Sequence, residues 1–399
     1  MTQPKGLTLV LSGGGVRATV FHMGVLLRLA AEERLEEVRV LSTVSGGSLA
    51  AALVFTLSGL KWPTSQVFID DVLPAVEERL TFRSLQGGAV GQTAKRPWKL
   101  FGSRGDLFAN ALERIWGIKG NLKDLASMPR WFINTTCYET GRNWRFSQEH
   151  IGDWKFGHNF EQVVRISTAV AASGAIPYMA GFVKLAINHK GWFSIDAATD
   201  EPKDPIEPMR SSVRLWDGGV YENLGMEPVY KPTRGLVFKD ASLLVVSDAS
   251  ARLKNDLGPA TGIFTDEWPF VRGPRLFDIA TEQTRALRSR ILLEAIIDGR
   301  LQGVIVRVGN DVPCIYSGAR KAGPQSGFLS PNDVERAGSY PTNATTMKAV
   351  DFANIARHGF ETADATLFAY RPSDFPRSIG WSEIVGRLPS SSAIRWGTT

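Results

Sequence analysis

The stretch from Leu9 to Leu53, LVLSGGGVRATVFHMGVLLRLAAEERLEEVRVLSTVSGGSLAAAL, holds two strand-to-helix turns in succession. Before the first, Gly6 to Ser12 (GLTLVLS) is a short apolar run rich in β-formers, ended by Gly13-Gly14-Gly15. The periodic segment Thr19 to Leu35 after it predicts a helix. Glycines carry no Cβ, so several N–H groups can converge there, and the helix dipole adds positive potential at the same place. The turn is an anion site, and the loop alone leaves the anion open.

One candidate anion is a dinucleotide. Gly13, Gly15 and Ala18 satisfy GxGxxG/A, and Glu36 and Glu37 lie near the separation of about 20 residues at which that motif wants a ribose-binding acid. The next strand argues otherwise. A Rossmann acid sits at the end of the second strand, whereas Val38 to Ser42 runs into Thr43-Val44-Ser45-Gly46-Gly47. No GxxxxGK[ST] occurs, so a P-loop is unsupported.

The second turn approaches the G-x-S-x-G nucleophile elbow, in which strand and helix nearly touch around an exposed serine. Thr43 replaces the first glycine, while Gly46 and Gly47 relieve the crowding and Ser48 to Leu57 continues as a helix. Ser42, Ser45 and Ser48 compete as nucleophile. Ser45, between strand and glycines, occupies the apex, although Ser-Gly-Gly is also an ordinary N-cap and turn. The uncharged stretch between Arg39 and Lys61 has the length of a membrane span, but its first third is small and polar and reads as a turn.

Four segments, in order, carry a resemblance to the patatin-like phospholipases: GGGVRA at 13–18, VSGGS at 44–48, ASGAIPY at 172–178 and DGGVYENLG at 217–225. Weaker similarity lies in TTCYETGRNWRF (135–146), the basic helix around Gln283 to Arg290, and ARHGFETADATL (356–367). The resemblance implies a lipid acyl hydrolase with a serine–aspartate dyad, here Ser45 and Asp217. It places the oxyanion hole on the backbone of Gly13, Gly14 and Gly15 with Arg17 beside it. Gly47, Ser173, Pro177, Gly218 and Gly219 would shape the site, and no metal or organic cofactor is implied. Thr43 and Ala18 stand where many members carry glycine.

A dyad without histidine is chemically sound. A carboxylate within hydrogen-bond reach of a serine hydroxyl can take its proton, provided burial and local donors tune its pKa toward the working pH. Asp217 follows the strand-like run Ser211 to Trp216 and precedes two glycines, which predicts a strand end in a tight loop; a lone Asp-Gly-Gly would otherwise read as a surface turn. Of the five histidines, His22, on the first helix, is close enough in sequence to complete a triad, while His150, His158, His189 and His358 sit in contexts without a motif. No pair shows metal-ligand spacing with carboxylates.

Strand-like runs at Gly6 to Ser12, Val38 to Ser42, Arg130 to Thr136 and Leu243 to Ser247 alternate with helical segments, so the fold class is α/β, a largely parallel central sheet with helices on both faces. We expect one domain over 1–399 with an inserted variable segment at about 60–116, a candidate lid or membrane-facing region. The residues MTQPKGLTLVLSGGG show no charged n-region ahead of an apolar run of signal-peptide length, so no signal peptide is expected, and with Cys137 and Cys314 as the only cysteines a reducing cytoplasm is the default. A net charge of +6, from 46 basic and 40 acidic residues, permits attraction to anionic lipid, and nothing resembles a nucleic-acid fold.

The expected activity is cleavage of phospholipid or lysophospholipid esters through a Ser45 acyl-enzyme with Asp217 as base, at a peripheral membrane surface. The rivals are a lipid transacylase and a catalytically silent lipid- or partner-binding module. The resemblance also allows a membrane-degrading bacterial effector switched on by a regulatory protein or small-molecule activator. Lys95-Arg96-Pro97-Trp98-Lys99-Leu100-Phe101 interleaves cations with apolar side chains as an interfacial anchor would, though Trp98 and Phe101 fit core packing equally well.

Overall fold

The computed structural model describes residues 6–83, 104–177, 181–196, 199, 201–251, 253, 269–324, 326–341, 346–389 and 396. The anchor reading of Lys95 to Phe101 lies outside these described residues.

The apolar run at the start of the chain is β1 (Gly6–Leu11), every residue of it buried. It lies between two parallel partners, β2 (Val38–Val44) and β13 (Ala241–Asp248), with β3 (Arg130–Cys137) parallel beyond β2 and β14 (Gly303–Arg307) parallel beyond β13. Successive side chains on a strand point to opposite faces. Leu7, Leu9 and Leu11 therefore enter one core, while Val10, Val40 and Val246 enter a second. Burial on both faces explains why these strands read as continuous hydrophobic runs.

The first core is covered by α1 (Gly15–Ala30), α2 (Gly46–Leu57) and α6 (Ala349–Tyr370); the second by Leu292 and Ala295 of α5 (Pro269–Ile297). All of α1 from Val16 to Ala30 is buried, its apolar side chains in the core and its polar ones, among them Arg17, His22 and Arg28, hydrogen-bonded to buried partners. It packs so closely on α6 that a Cβ at Gly359 would stand 2.2 Å from the Phe21 carbonyl oxygen.

Two helix boundaries differ from the sequence pattern. The first helix begins at Gly15, directly after Gly14 (φ 146°), and ends at Ala30, before the positive-φ turn at Glu33. The second begins at Gly46. Glu36 and Glu37 precede β2, at the opposite end of the sheet from the glycine loop, where Glu36 accepts from Ser65 and Glu37 pairs with Arg34. They are too far from the loop to bind a ribose there.

Past β3 the sheet continues antiparallel through β4 (Asn143–Phe146), β5 (Ile151–Asp153), β6 (Gly157–Asn159), β8 (Trp192–Ile195) and β9 (Pro202–Pro205). This extension was not legible in the sequence, because its strands are short. One further strand, β10 (Ser212–Asp217), pairs antiparallel with both β3 and β7 (Val183–Ala186), while β11 (Tyr230–Lys231) and β12 (Gly235–Leu236) form a separate two-stranded pair. Two short helices, α3 (Arg104–Ala111) and α4 (Ile166–Ser173), close the face beside β10. Among the described residues, no helix is long and apolar enough to cross a membrane.

Candidate active site

The meeting of Ser45 and Asp217 follows from the edge of β3. Along it, Asn134 pairs with Val44 of β2 and Thr135 with Asp217 of β10. Because β2 runs parallel to β3 and β10 antiparallel, their C-terminal ends converge on adjacent residues of one strand. The residue after Val44 and the last residue of β10 are thereby set face to face.

Ser45 has φ 48° and ψ −112°, a conformation that costs a non-glycine residue energy and that turns its side chain out of both strand and helix. The glycines after it are sterically required: a Cβ at Gly46 would lie 2.3 Å from the Gly15 carbonyl oxygen, and one at Gly47 would lie 2.2 Å from that of Leu11. Ser48 and Ser42 are engaged elsewhere, Ser42 donating to the Gly225 carbonyl at 2.6 Å.

Thr43, where a glycine is usual, belongs to a buried chain of hydroxyls. The Ser173 hydroxyl donates to the Asn134 carbonyl (2.8 Å), so toward Ser48 it accepts (2.9 Å). Ser48 in turn accepts from Thr43 (2.9 Å), which accepts from the indole N–H of Trp131 (2.9 Å). Every proton direction is thus fixed. The same Ser173 oxygen receives the main-chain N–H of Ser45 at 2.9 Å, and two residues on the Ala175 carbonyl receives the N–H of Asp217 at 2.9 Å. Pro177 follows at the rim of the cleft.

Asp217 is buried, and it lines the same cleft as Ser45. Burial pushes its pKa up to about 7 against the opposing pull of the Gly219 N–H (2.7 Å) and of Ser45. A carboxylate so tuned is matched to proton transfer near neutrality. Gly218 and Gly219 admit the tight turn, since a Cβ at Gly218 would meet the Asn134 carbonyl oxygen at 2.4 Å and one at Gly219 would meet Asn223 Oδ1 at 2.7 Å.

The glycine loop divides its labour. The Gly13 N–H donates to the Asn223 carbonyl at 3.0 Å, so Gly13 is a strut to the Asp217 loop; that hydrogen bond corrects its assignment as an oxyanion donor. Gly14 and Gly15, at φ 146° and 62°, begin α1, and Gly14 lines the cleft that holds Ser45. Arg17 lies beside the loop, with Nη2 3.0 Å from where a Cβ at Gly14 would stand. Its guanidinium donates to the carbonyls of Gly338, Tyr340 and Ala249, and it lines a neighbouring cavity, so it braces the loop by holding main chain on three sides. Burial lowers its pKa to about 10, leaving it cationic.

His22 completes no triad. Its Nε2 faces the Ser12 carbonyl (2.9 Å) and its Nδ1 the Ser247 hydroxyl (2.7 Å); a carbonyl only accepts, so Nε2 carries the proton. Burial pushes the pKa down to about 4 and keeps the ring neutral. Two residues overlooked in DGGVYENLG fix that loop. The Glu222 carboxylate accepts from the N–H groups of Leu224 (2.6 Å), Gly225 (2.9 Å) and Met226 (2.5 Å), and Asn223 adds a side-chain bond to Ser250 (2.8 Å). An acid and an amide inside a Gly-rich turn were the available signal.

The cleft over Ser45 and Asp217 has a volume of about 540 Å³. Its lining mixes apolar and charged side chains: Ile176, Pro177, Val220 and Leu253 with Arg275, Phe277, Asp278, Glu282 and Arg285 of α5. Arg285 is itself held by Asp248 (2.6 Å) and Glu282 (2.5 Å). Among the described residues, no group of three His, Cys, Asp or Glu side chains could hold a metal ion.

A nucleophile elbow, a glycine loop and a buried aspartate in the same cleft as the serine, on a sheet covered on both faces, define a class of acyl hydrolase folds. The chain belongs to the patatin-like phospholipase family, whose sequence profile matches residues 9–230. In fold it resembles human GIVD cytosolic phospholipase A2, with a TM-score of 0.55 at 14% identity over 94% of this chain and 63% of that one. The chain thus spans under two thirds of that protein's length. VipD from Legionella pneumophila aligns at a TM-score of 0.34 and 13% identity over 91% of this chain and 67% of that one. No curated protein matches the sequence.

Proposed function

We propose that this protein is a serine acyl hydrolase that cleaves carboxylic esters of phospholipids or lysophospholipids. The observation that carries the reading is Ser45 at the strained elbow, set in one cleft with a buried Asp217 carboxylate whose pKa is pushed up to about 7. Asp217 takes the Ser45 proton as Oγ attacks the ester carbonyl carbon. The amides of Gly14 and Gly15, at a helix N-terminus, meet the developing oxyanion. As the tetrahedral species collapses, the C–O bond to the alcohol breaks and Asp217 returns its proton to that oxygen. Water, deprotonated by the same carboxylate, then releases the fatty acid and restores Ser45.

Lipid substrates are supported by the family and by the 540 Å³ cleft, whose lining includes Ile176, Pro177, Leu253 and Phe277. We read the chain as one hydrolase domain over 1–399, with 60–116 as its variable insertion, acting in the cytoplasm at a membrane surface. The test is labelling by a fluorophosphonate together with lipid product analysis for the wild type and Ser45→Ala. Labelling and fatty-acid release that both vanish in the variant support the reading. A wild type that neither labels nor releases fatty acid would make the fold a binding module, and transfer of the acyl group to an added acceptor lipid would make it a transacylase.

A further inference from the structure

Most glycines around Ser45 are there because nothing else fits, and Gly174 is an exception. It follows α4 with φ −104° and ψ 13°, which ordinary residues adopt. A Cβ there would meet nothing closer than Phe108 Cε1 at 3.6 Å, the Val170 carbonyl oxygen at 3.7 Å and Ser45 Oγ at 3.9 Å, all normal van der Waals separations. The contrast with Gly46 and Gly47, whose Cβ atoms would lie 2.3 and 2.2 Å from backbone oxygens, is sharp. Neither backbone strain nor packing calls for glycine at 174. What a side chain there would do is occupy the half-exposed space beside the Ser45 oxygen.

We infer that Gly174 is a specificity-determining residue that keeps open the berth for the acyl chain beside Ser45, between Phe108 of α3 and the Ile176–Pro177 turn. The inference rests on the hydrolase reading above. Groups within about 4 Å of the attacking oxygen are those that crowd the carbonyl carbon and the methylenes next to it. The surroundings assign that space to the acyl half of the ester: Phe108 packs on the apolar core, and Ile176 and Pro177, just after Gly174 in the chain, bring apolar side chains to the cleft lining. The charged groups that could meet a headgroup come from α5, whose Arg275, Asp278, Glu282 and Arg285 line the cleft beside Phe277.

The experiment measures kcat/KM for p-nitrophenyl acetate, butyrate, octanoate and laurate with the wild-type chain, Gly174→Ala, Gly174→Val and the double variant Gly174→Ala/Phe108→Ala. Circular dichroism and fluorophosphonate labelling are followed alongside. Gly174→Ala should lower the laurate-to-acetate ratio by about tenfold, the scale on which a pocket discriminates one methylene, and Gly174→Val by more. Removing the facing ring in the double variant should restore much of the ratio. A laurate-to-acetate ratio equal to the wild type's in both single variants overturns the inference, as does an equal loss on all four esters with labelling retained, which would make Gly174 a matter of backbone geometry. If the wild type hydrolyses none of the esters and does not label, the hydrolase reading itself falls; an active wild type with an unaltered chain profile in the variants removes only the role of Gly174.

Discussion

The Ser173 hydroxyl accepts the main-chain N–H of Ser45 at 2.9 Å while donating to the Asn134 carbonyl at 2.8 Å, so the strained elbow is tied to β3 through one oxygen. With Ala175 holding the Asp217 N–H, a three-residue segment sets the spacing of serine and carboxylate. Ser173→Ala should lower kcat by on the order of tenfold or more while KM changes little, because misplacement weakens the transition state rather than the binding of substrate. Ester kinetics measure both; an unchanged kcat with a lower melting temperature would reduce Ser173 to a packing role.

Thr43→Val retains shape and removes the hydroxyl between Trp131 and Ser48. It leaves the buried indole N–H without its acceptor, which should cost about 1–3 kcal/mol of stability. Urea denaturation reads that loss directly. A neutral effect would mean that water replaces the hydroxyl.

Ser45→Ala and Asp217→Asn should each abolish ester hydrolysis, and the double variant should be no worse than either, since the pair acts as a unit. Single-turnover assays on all three proteins check this. Activity that falls multiplicatively in the double variant would separate the two residues functionally.

The Asp217 pKa of about 7 has two consequences of definite sign. Hydrolysis requires the ionised carboxylate, so kcat/KM should rise through about pH 7 and level off above it. For stability the folded pKa lies above the unfolded one, so the native state binds more protons, and this group's contribution is lost as pH rises from about 4 to about 7. Asp217→Asn should therefore raise the melting temperature more at about pH 8 than at about pH 5. Calorimetry at the two pH values tests it, and an equal shift at both would refute the raised pKa.

Gly14→Ala should lose on the order of 10²-fold in turnover, the usual effect of disturbing an oxyanion donor. Its φ of 146° and a Cβ that would fall 2.6 Å from the Ala249 carbonyl oxygen force the loop to move. Arg17→Lys should lose activity and stability together, because a single ammonium cannot span three carbonyls as the guanidinium fork does. Steady-state kinetics with thermal melts distinguish them: retained turnover with weakened binding in Gly14→Ala would make the loop a substrate anchor.

Local chemistry made much of this protein legible from its sequence. A β-rich run into three glycines could only be strand, loop and helix, and a serine before Gly46-Gly47 could only stand at a turn, because these choices depend on neighbours in the chain. Asp217 at a strand end was readable for the same reason. The parallel strands could be found from their apolar runs, but not the antiparallel extension, whose strands of three or four residues carry too little periodicity. Three things were decided only by tertiary structure. The end-to-end convergence of β2 and β10 on β3 places Ser45 beside Asp217 across a long separation in sequence. Burial raises the aspartate's pKa, and burial is a property of the assembled cleft. The Asn223 carbonyl takes the Gly13 N–H, and three distant carbonyls take Arg17, so hydrogen-bond partners far along the chain chose which of the loop's groups face the cleft.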